Sequence, residues 1–199
     1  MDDKYLKALT RDDLSQVLIH LSCGGWVNGM WVEPKAAMMN ILREGRIRAS
    51  ERKEIRQYDT AGAACLYDVP LSLWSQVVKT NPNNRRGYGL IVAKNVFWYL
   101  GGRPAIYDSD PSGKAWPETE RYRLILTNLN RQPPVDWTHE REWRIRGELN
   151  LGAISKTHPG HTWWWPCVER AAECAEVFAT FPGVHHIYSM ESSGVLSRS

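Results

Sequence analysis

Residues 17–45 decide the fold class: Val17-Leu18-Ile19-His20-Leu21-Ser22, then Cys23-Gly24-Gly25-Trp26-Val27-Asn28-Gly29, then Pro34-Lys35-Ala36-Ala37-Met38-Met39-Asn40-Ile41-Leu42-Arg43-Glu44-Gly45. The first run is apolar and β-branched and reads as a buried strand. The glycine-rich run predicts a loop. The third has proline at its first turn, good helix formers through its middle and glycine as its stop, so it predicts a helix. Strand, loop and helix within thirty residues, with a short strand over 46–49 next, mark a chain of mixed composition.

Outward from this stretch, short strands are expected at 64–67, 88–93, 103–107, 140–145 and 184–189. Helices are expected at 71–79, 95–100, 121–129 and 169–181, and a helix start at Thr10-Arg11-Asp12-Asp13. Residues 50–62 are polar and predict a mobile loop, 81–87 a turn-rich connection and 108–117 a loop. The elements do not alternate strictly as βαβ. The expected class is therefore α+β: one compact domain, core about residues 10–190, rather than a doubly wound sheet. The tail 191–199 is expected to fray.

Composition narrows the function. The chain has 199 residues, 43% hydrophobic and 24% charged, and no apolar run long enough for a membrane helix. Its start, Met1-Asp2-Asp3-Lys4, lacks a signal peptide's basic and apolar regions, which predicts a cytoplasmic protein with no membrane partner. Four cysteines, at 23, 65, 167 and 174, form no Cys-x-x-Cys pair. They are expected to be free thiols and no metal is expected, since Cys167 and Cys174 with His161 or His185 match no common zinc spacing. Net charge is only +3, but arginine outnumbers lysine 17 to 8 and there are ten tryptophans. Arg46, Arg48, Arg52 and Arg56 lie in one run and are the candidate nucleic-acid contacts. Interleaved Glu44, Glu51 and Glu54 allow an ordinary solvated face equally well. The tract Thr162-Trp163-Trp164-Trp165-Pro166 suits either core or a stacking surface.

Three places hold polar groups where a core prefers apolar ones. His20 and Ser22 lie in the first strand, and Asp68 ends a strand before Pro70. The third place is Glu140-Arg141-Glu142-Trp143-Arg144-Ile145. As a strand it would put Glu140, Glu142 and Arg144 on one face. Such a face is either laced with ion pairs or places a carboxylate to stabilise positive charge on a sugar carbon.

In this order, His20-Leu21-Ser22, Glu44-Gly45, Cys65-Leu66-Tyr67-Asp68-Val69-Pro70-Leu71, Tyr88-Gly89-Leu90-Ile91-Val92-Ala93-Lys94 and Glu140-to-Ile145 resemble a family of bacterial abortive-infection proteins. That family is similar in outline to the ADP-ribosyltransferase fold, including the DarT-like enzymes that act on DNA bases, which implies a central, mostly antiparallel, split sheet flanked by short helices. The resemblance spans about residues 17–146. It implies that His20 orients NAD, that Tyr88 packs on nicotinamide and that Glu142 grips the nicotinamide ribose. Glu140 would pair with Glu142 in a Glu-x-Glu arrangement, with Ser22, Asp68, Trp143 and Arg144 also binding substrate. The acidic position after Cys65 is Asp68, where the family usually has Glu. The implied function is an enzyme at an N-glycosidic bond of DNA in phage defence. ADP-ribose transfer from NAD to a base is the leading form, because His20, Tyr88 and Glu142 come in the order that NAD-using relatives show. A DNA glycosylase that flips and excises a modified phage base without NAD is the other. A non-catalytic binding or antitoxin protein is the rival from another class.

Overall fold

The structure, a computed structural model, describes residues 15–27, 29–80, 85–157 and 163–198. The helix start expected at 10–13, part of the 81–87 connection, and His161 and Thr162 lie outside these residues. In chain order the strands and α-helices are β1 (Val17–Cys23), β2 (Gly25–Val27), β3 (Met30–Val32), α1 (Pro34–Glu44), β4 (Arg46–Ile47), α2 (Lys53–Arg56), β5 (Ala63–Tyr67), α3 (Trp74–Thr80), β6 (Arg85–Ala93), α4 (Lys94–Tyr99), β7 (Arg103–Pro104), β8 (Ile106–Asp108), β9 (Leu124–Leu126), β10 (Glu142–Arg146), β11 (Leu149–Asn150), α5 (Leu151–Thr157), β12 (Trp164–Val168), α6 (Cys174–Thr180), β13 (His186–Ser189) and β14 (Gly194–Ser197).

The main sheet runs β14-β13-β12-β6-β1-β5-β10-β7. Its pairs are antiparallel except β12 with β13. Alternation along β1 explains its two-sided burial. Leu18 faces a cluster with Leu66, Leu90, Val92, Phe97 and Ile154, under α1, α4 and α5. Ile19 and Leu21 face the opposite cluster with Trp74, Ile91 and Tyr188, under α3. Fully burying one such side chain contributes about 1.5–3 kcal/mol. The domain is therefore a single compact α+β unit with helices on both faces of its sheet.

The join between β1 and β5 positions the site. β1 pairs with β6 over most of its length but with β5 only at Ile19↔Tyr67. Beyond that pair the strands part, and His20 Nδ1 donates to the Cys65 carbonyl oxygen at 2.9 Å. The sheet is thus nearly divided, with an imidazole bridging the gap. On the other side of β1, Gly89 sits opposite Leu21, and a Cβ there would collide with the His20 carbonyl oxygen.

Several expectations need correction. The 23–29 loop contains β2, which pairs with β3 around Gly29 at φ 78°. The 50–62 loop contains α2, pinned because Ile55 is buried with Ala63 and Tyr122. Residues 121–129 are not a helix: a 3-10 turn over Glu118–Arg123 leads into β9, which runs parallel to β8. The carbonyls of Tyr122 and Leu124, which a helix would use internally, accept instead from the buried Arg144 guanidinium at 3.0 and 2.7 Å. The tail is not frayed throughout, because β14 pairs with β13. The tryptophan tract belongs to the core: β12 lies between β6 and β13, with Trp163 and Trp164 packed on buried clusters.

Candidate active site

Where the two halves of the sheet part, a cavity of about 740 Å3 opens on the Ile19 face. Its floor comes from alternate residues of β5 and β10, in register as Tyr67 opposite Glu142 and Cys65 opposite Arg144. His20 and Leu21 enter from β1, and Leu124, Ile125 and Leu126 form an apolar wall. Arg48, Ser50 and Arg52 border it from the segment leading into α2, and Trp137 and Glu140 from the turn before β10.

The centre of the floor is an ion pair. Arg144 Nε donates to Glu142 Oε1 at 2.6 Å, with both side chains at most 7% exposed. Burial works against the Arg144 charge, but Glu142 outweighs it, so the guanidinium stays charged. Its other bonds go to the Tyr122 and Leu124 carbonyls, which fix it from behind. The Glu142 backbone amide donates to the Tyr107 hydroxyl at 2.9 Å. Next to the pair, burial and then Glu142 push the Cys65 thiol far up, which keeps it protonated, and its Sγ donates to the Ala63 carbonyl at 3.7 Å. At His20 the carbonyl partner can only accept, so Nδ1 carries a proton.

Glu140 reaches the cavity by a different route from the one its spacing suggests. Residues 138–140 form a 3-10 turn, and Arg141 adopts the left-handed region at φ 45°, ψ 48°. Glu140 therefore arrives from a turn, and only Glu142 and Arg144 share a strand face.

The other candidates scatter. Tyr88 does not line the cavity; its hydroxyl donates to Glu173 Oε1 at 2.8 Å inside another buried cluster. Asp68 is buried beneath Lys94 at 2.8 Å and Arg141 at 3.4 Å. Ser22 is 2% exposed and its Oγ has no hydrogen-bond partner among the described residues. Trp143 meets the Trp98 ring edge-on at 6.0 Å and lies under Lys94. None of these three lines the cavity.

The arginine run splits too. Arg46 pairs with Glu44 and Glu148, and Arg56 with Glu51. Neither lines the cavity. Arg48 lines it but is held by both oxygens of Glu44, at 2.8 and 2.6 Å. Arg52 lines it and has no carboxylate partner among the described residues.

Tyr67, Cys65, Ser50 and Trp137 are lining residues that the sequence reading did not single out. Tyr67 and Cys65 had a signal, since a strand facing Glu142 and Arg144 must present alternate residues to the same side. Trp137 had none, because a loop aromatic carries no periodicity.

All four cysteines are free, and no group of three or more metal-ligating side chains occurs among the described residues. No described helix is long and apolar enough to cross a membrane. No family model, curated protein or solved structure matches this chain.

Proposed function

We propose that this chain is an enzyme that breaks an N-glycosidic bond of a nucleotide, with DNA as its macromolecular substrate. The observation that carries the proposal is Glu142, a buried carboxylate clamped by Arg144 on the floor of a cavity large enough for a nucleotide. As the bond from the sugar carbon to the base nitrogen lengthens, positive charge spreads over that carbon and the ring oxygen. A fixed carboxylate beside them lowers the energy of that state and needs no reorganisation. Glu140, from the adjoining turn, is the group placed to take the proton of the incoming nucleophile. His20 and Tyr67 orient the sugar and base, and Arg52 is the cation available to a phosphate.

Two forms share this centre. In the first, NAD supplies ADP-ribose, a DNA base nitrogen attacks the ribose carbon and nicotinamide leaves. The cavity's volume, the Tyr67 ring and Arg52 fit that ligand. In the second, water attacks the deoxyribose carbon and a modified base leaves an abasic sugar. The position of Tyr88, bonded to Glu173 away from the cavity, favours this second form, since the residue expected on nicotinamide is not there. A role in phage defence rests on the family resemblance.

The test is product analysis. Wild-type protein and Glu142→Gln are incubated with phage DNA and ordinary DNA, with and without NAD. Transfer consumes NAD and adds one ADP-ribose to the DNA mass. Excision needs no NAD and leaves sites that break in mild alkali. Either product, lost in Glu142→Gln, supports the proposal. Neither product on any DNA overturns it in favour of a binding or antitoxin protein.

A further inference from the structure

We infer that Tyr107 is a positioning residue: its hydroxyl holds the left-handed turn at Arg141, and that turn presents Glu140 and Glu142 to the cavity from different directions. This deepens the proposed function and rests on it for the roles of the two carboxylates.

Arg141 has φ 45° and ψ 48°. Residues with a Cβ rarely adopt this region, and they keep it only where their surroundings impose it. The reason lies in the sheet. Glu142 stands opposite Tyr67, the last residue of β5, so β10 loses its β5 neighbour just before Glu142. Had the chain run extended through this point, Glu140 and Glu142 would share one face, about 7 Å apart along the strand. Instead the Thr138–Glu140 turn brings Glu140 in from outside the sheet, and Arg141 makes the change of direction into β10. One carboxylate is thus clamped in the floor by Arg144, and the other hangs from the turn.

Bonds on both sides of the turn hold it. The Asp68 amide donates to the Arg141 carbonyl at 3.1 Å, and the Ala105 amide to the Glu142 carbonyl at 2.8 Å. Both of these join backbone groups. The Glu142 amide, directly after Arg141, donates instead to a side chain, the Tyr107 hydroxyl, at 2.9 Å. That hydroxyl is well anchored. Tyr107 pairs with Ile125 in the two-stranded sheet of β8 and β9, and Ile125 belongs to the apolar wall of the cavity. The same small sheet therefore walls the cavity and fixes the entry to β10. Burial, together with the Glu142 and Glu140 charges, outweighs the amide bond and holds the Tyr107 phenol above its usual pKa, so it stays a neutral hydroxyl. Tyr107 does not itself line the cavity. Its effect on the reaction must pass through the two glutamates.

The experiment compares the full chain with Tyr107→Phe, which removes only the hydroxyl, and with Tyr107→Phe combined with Arg141→Asn. Hydrogen exchange is read at single amides, and kcat and KM are read from the glycosidic product on DNA. In Tyr107→Phe the Glu142 amide should exchange about tenfold faster or more, while the amides of the rest of β10 keep their protection. Its kcat should fall roughly tenfold to a hundredfold, with KM within about twofold of wild type. Asparagine tolerates the left-handed region better than arginine, so the double variant should regain most of the lost kcat. An unchanged kcat in Tyr107→Phe overturns the inference and leaves the proposed function standing. So does a double variant no faster than Tyr107→Phe, or a loss of protection spread over β5 and β10 with a melting temperature lowered to match. If wild type forms no glycosidic product, the proposed function fails and exchange alone decides: faster exchange confined to residues 138–142 sustains the hold on the turn, and unchanged exchange at Glu142 overturns it.

Discussion

Glu142 and Arg144 are buried together at 2.6 Å, so replacing either one strands the other. Breaking such a pair from one side costs roughly 3–5 kcal/mol, whereas replacing both partners by apolar groups is often close to neutral. Glu142→Gln should therefore lower activity by orders of magnitude and also lower the melting temperature. Glu142→Leu combined with Arg144→Met should be more stable than either single change, and inactive. Additive losses in that cycle, read from denaturant melts, would mean the two side chains are not coupled. His20→Ala removes the bond to the Cys65 carbonyl across the gap between β1 and β5. It should impair substrate binding more than stability; full activity with a large stability loss would make His20 a structural strut only. At this scale Glu142 and His20 were legible because a charged or polar group in an apolar strand demands a reason. Tyr88 was not, because alternation tells which residues share a face but not which face holds the cavity. Its partner, Glu173, lies 85 positions further along the chain.

Elements were legible where local chemistry decides them. α1 has proline in its first turn and ends at Gly45 in the left-handed region, φ 67° and ψ 25°. Elements shaped by distant contacts were not: β9 pairs with β8 from sixteen or more positions earlier, and Arg144, twenty positions later, takes the Leu124 carbonyl. The two glycines give a contrast that can be measured. At Gly45 an added Cβ meets nothing within 4 Å, so Gly45→Ala costs only the left-handed strain, about 1 kcal/mol. At Gly89 the same Cβ runs into the His20 carbonyl oxygen, backbone that cannot step aside without opening β1 from β6. Gly89→Ala should cost roughly 3 kcal/mol or more. Because it pushes His20, it should also reduce substrate affinity. Equal costs for the two changes would show that β1 and β6 are not held as tightly as their register implies.

Over the whole molecule, stability should depend on acid through two buried carboxylates that tie distant parts of the chain together. Asp59 is joined to Arg146 on β10, and Glu173 to Lys35 on α1, Tyr88 on β6 and its neighbour Arg170. Burial alone would raise both. At Asp59 the Arg146 guanidinium and the Ala61 amide outweigh it, and at Glu173 the Arg170 amide, Tyr88 and Lys35 do so. Both carboxyls therefore sit below their usual values in the folded state. A group depressed on folding stabilises fully above its unfolded pKa, about 4 for these residues, and that stabilisation is lost as pH falls through the lower, folded value. The melting temperature should thus be nearly flat between about pH 5 and 7 and fall steeply below about pH 4. Asp59→Asn should lower it at neutral pH and shrink the acid-induced fall, because the titrating group is gone while Arg146, exposed in solvent, tolerates the loss. Glu173→Gln should cost more at neutral pH, since Glu173 is buried against Lys35 and Tyr88, from two other elements, and against its neighbour Arg170. A melting temperature at about pH 3 equal to the neutral one would show that neither carboxylate is linked to folding in this way.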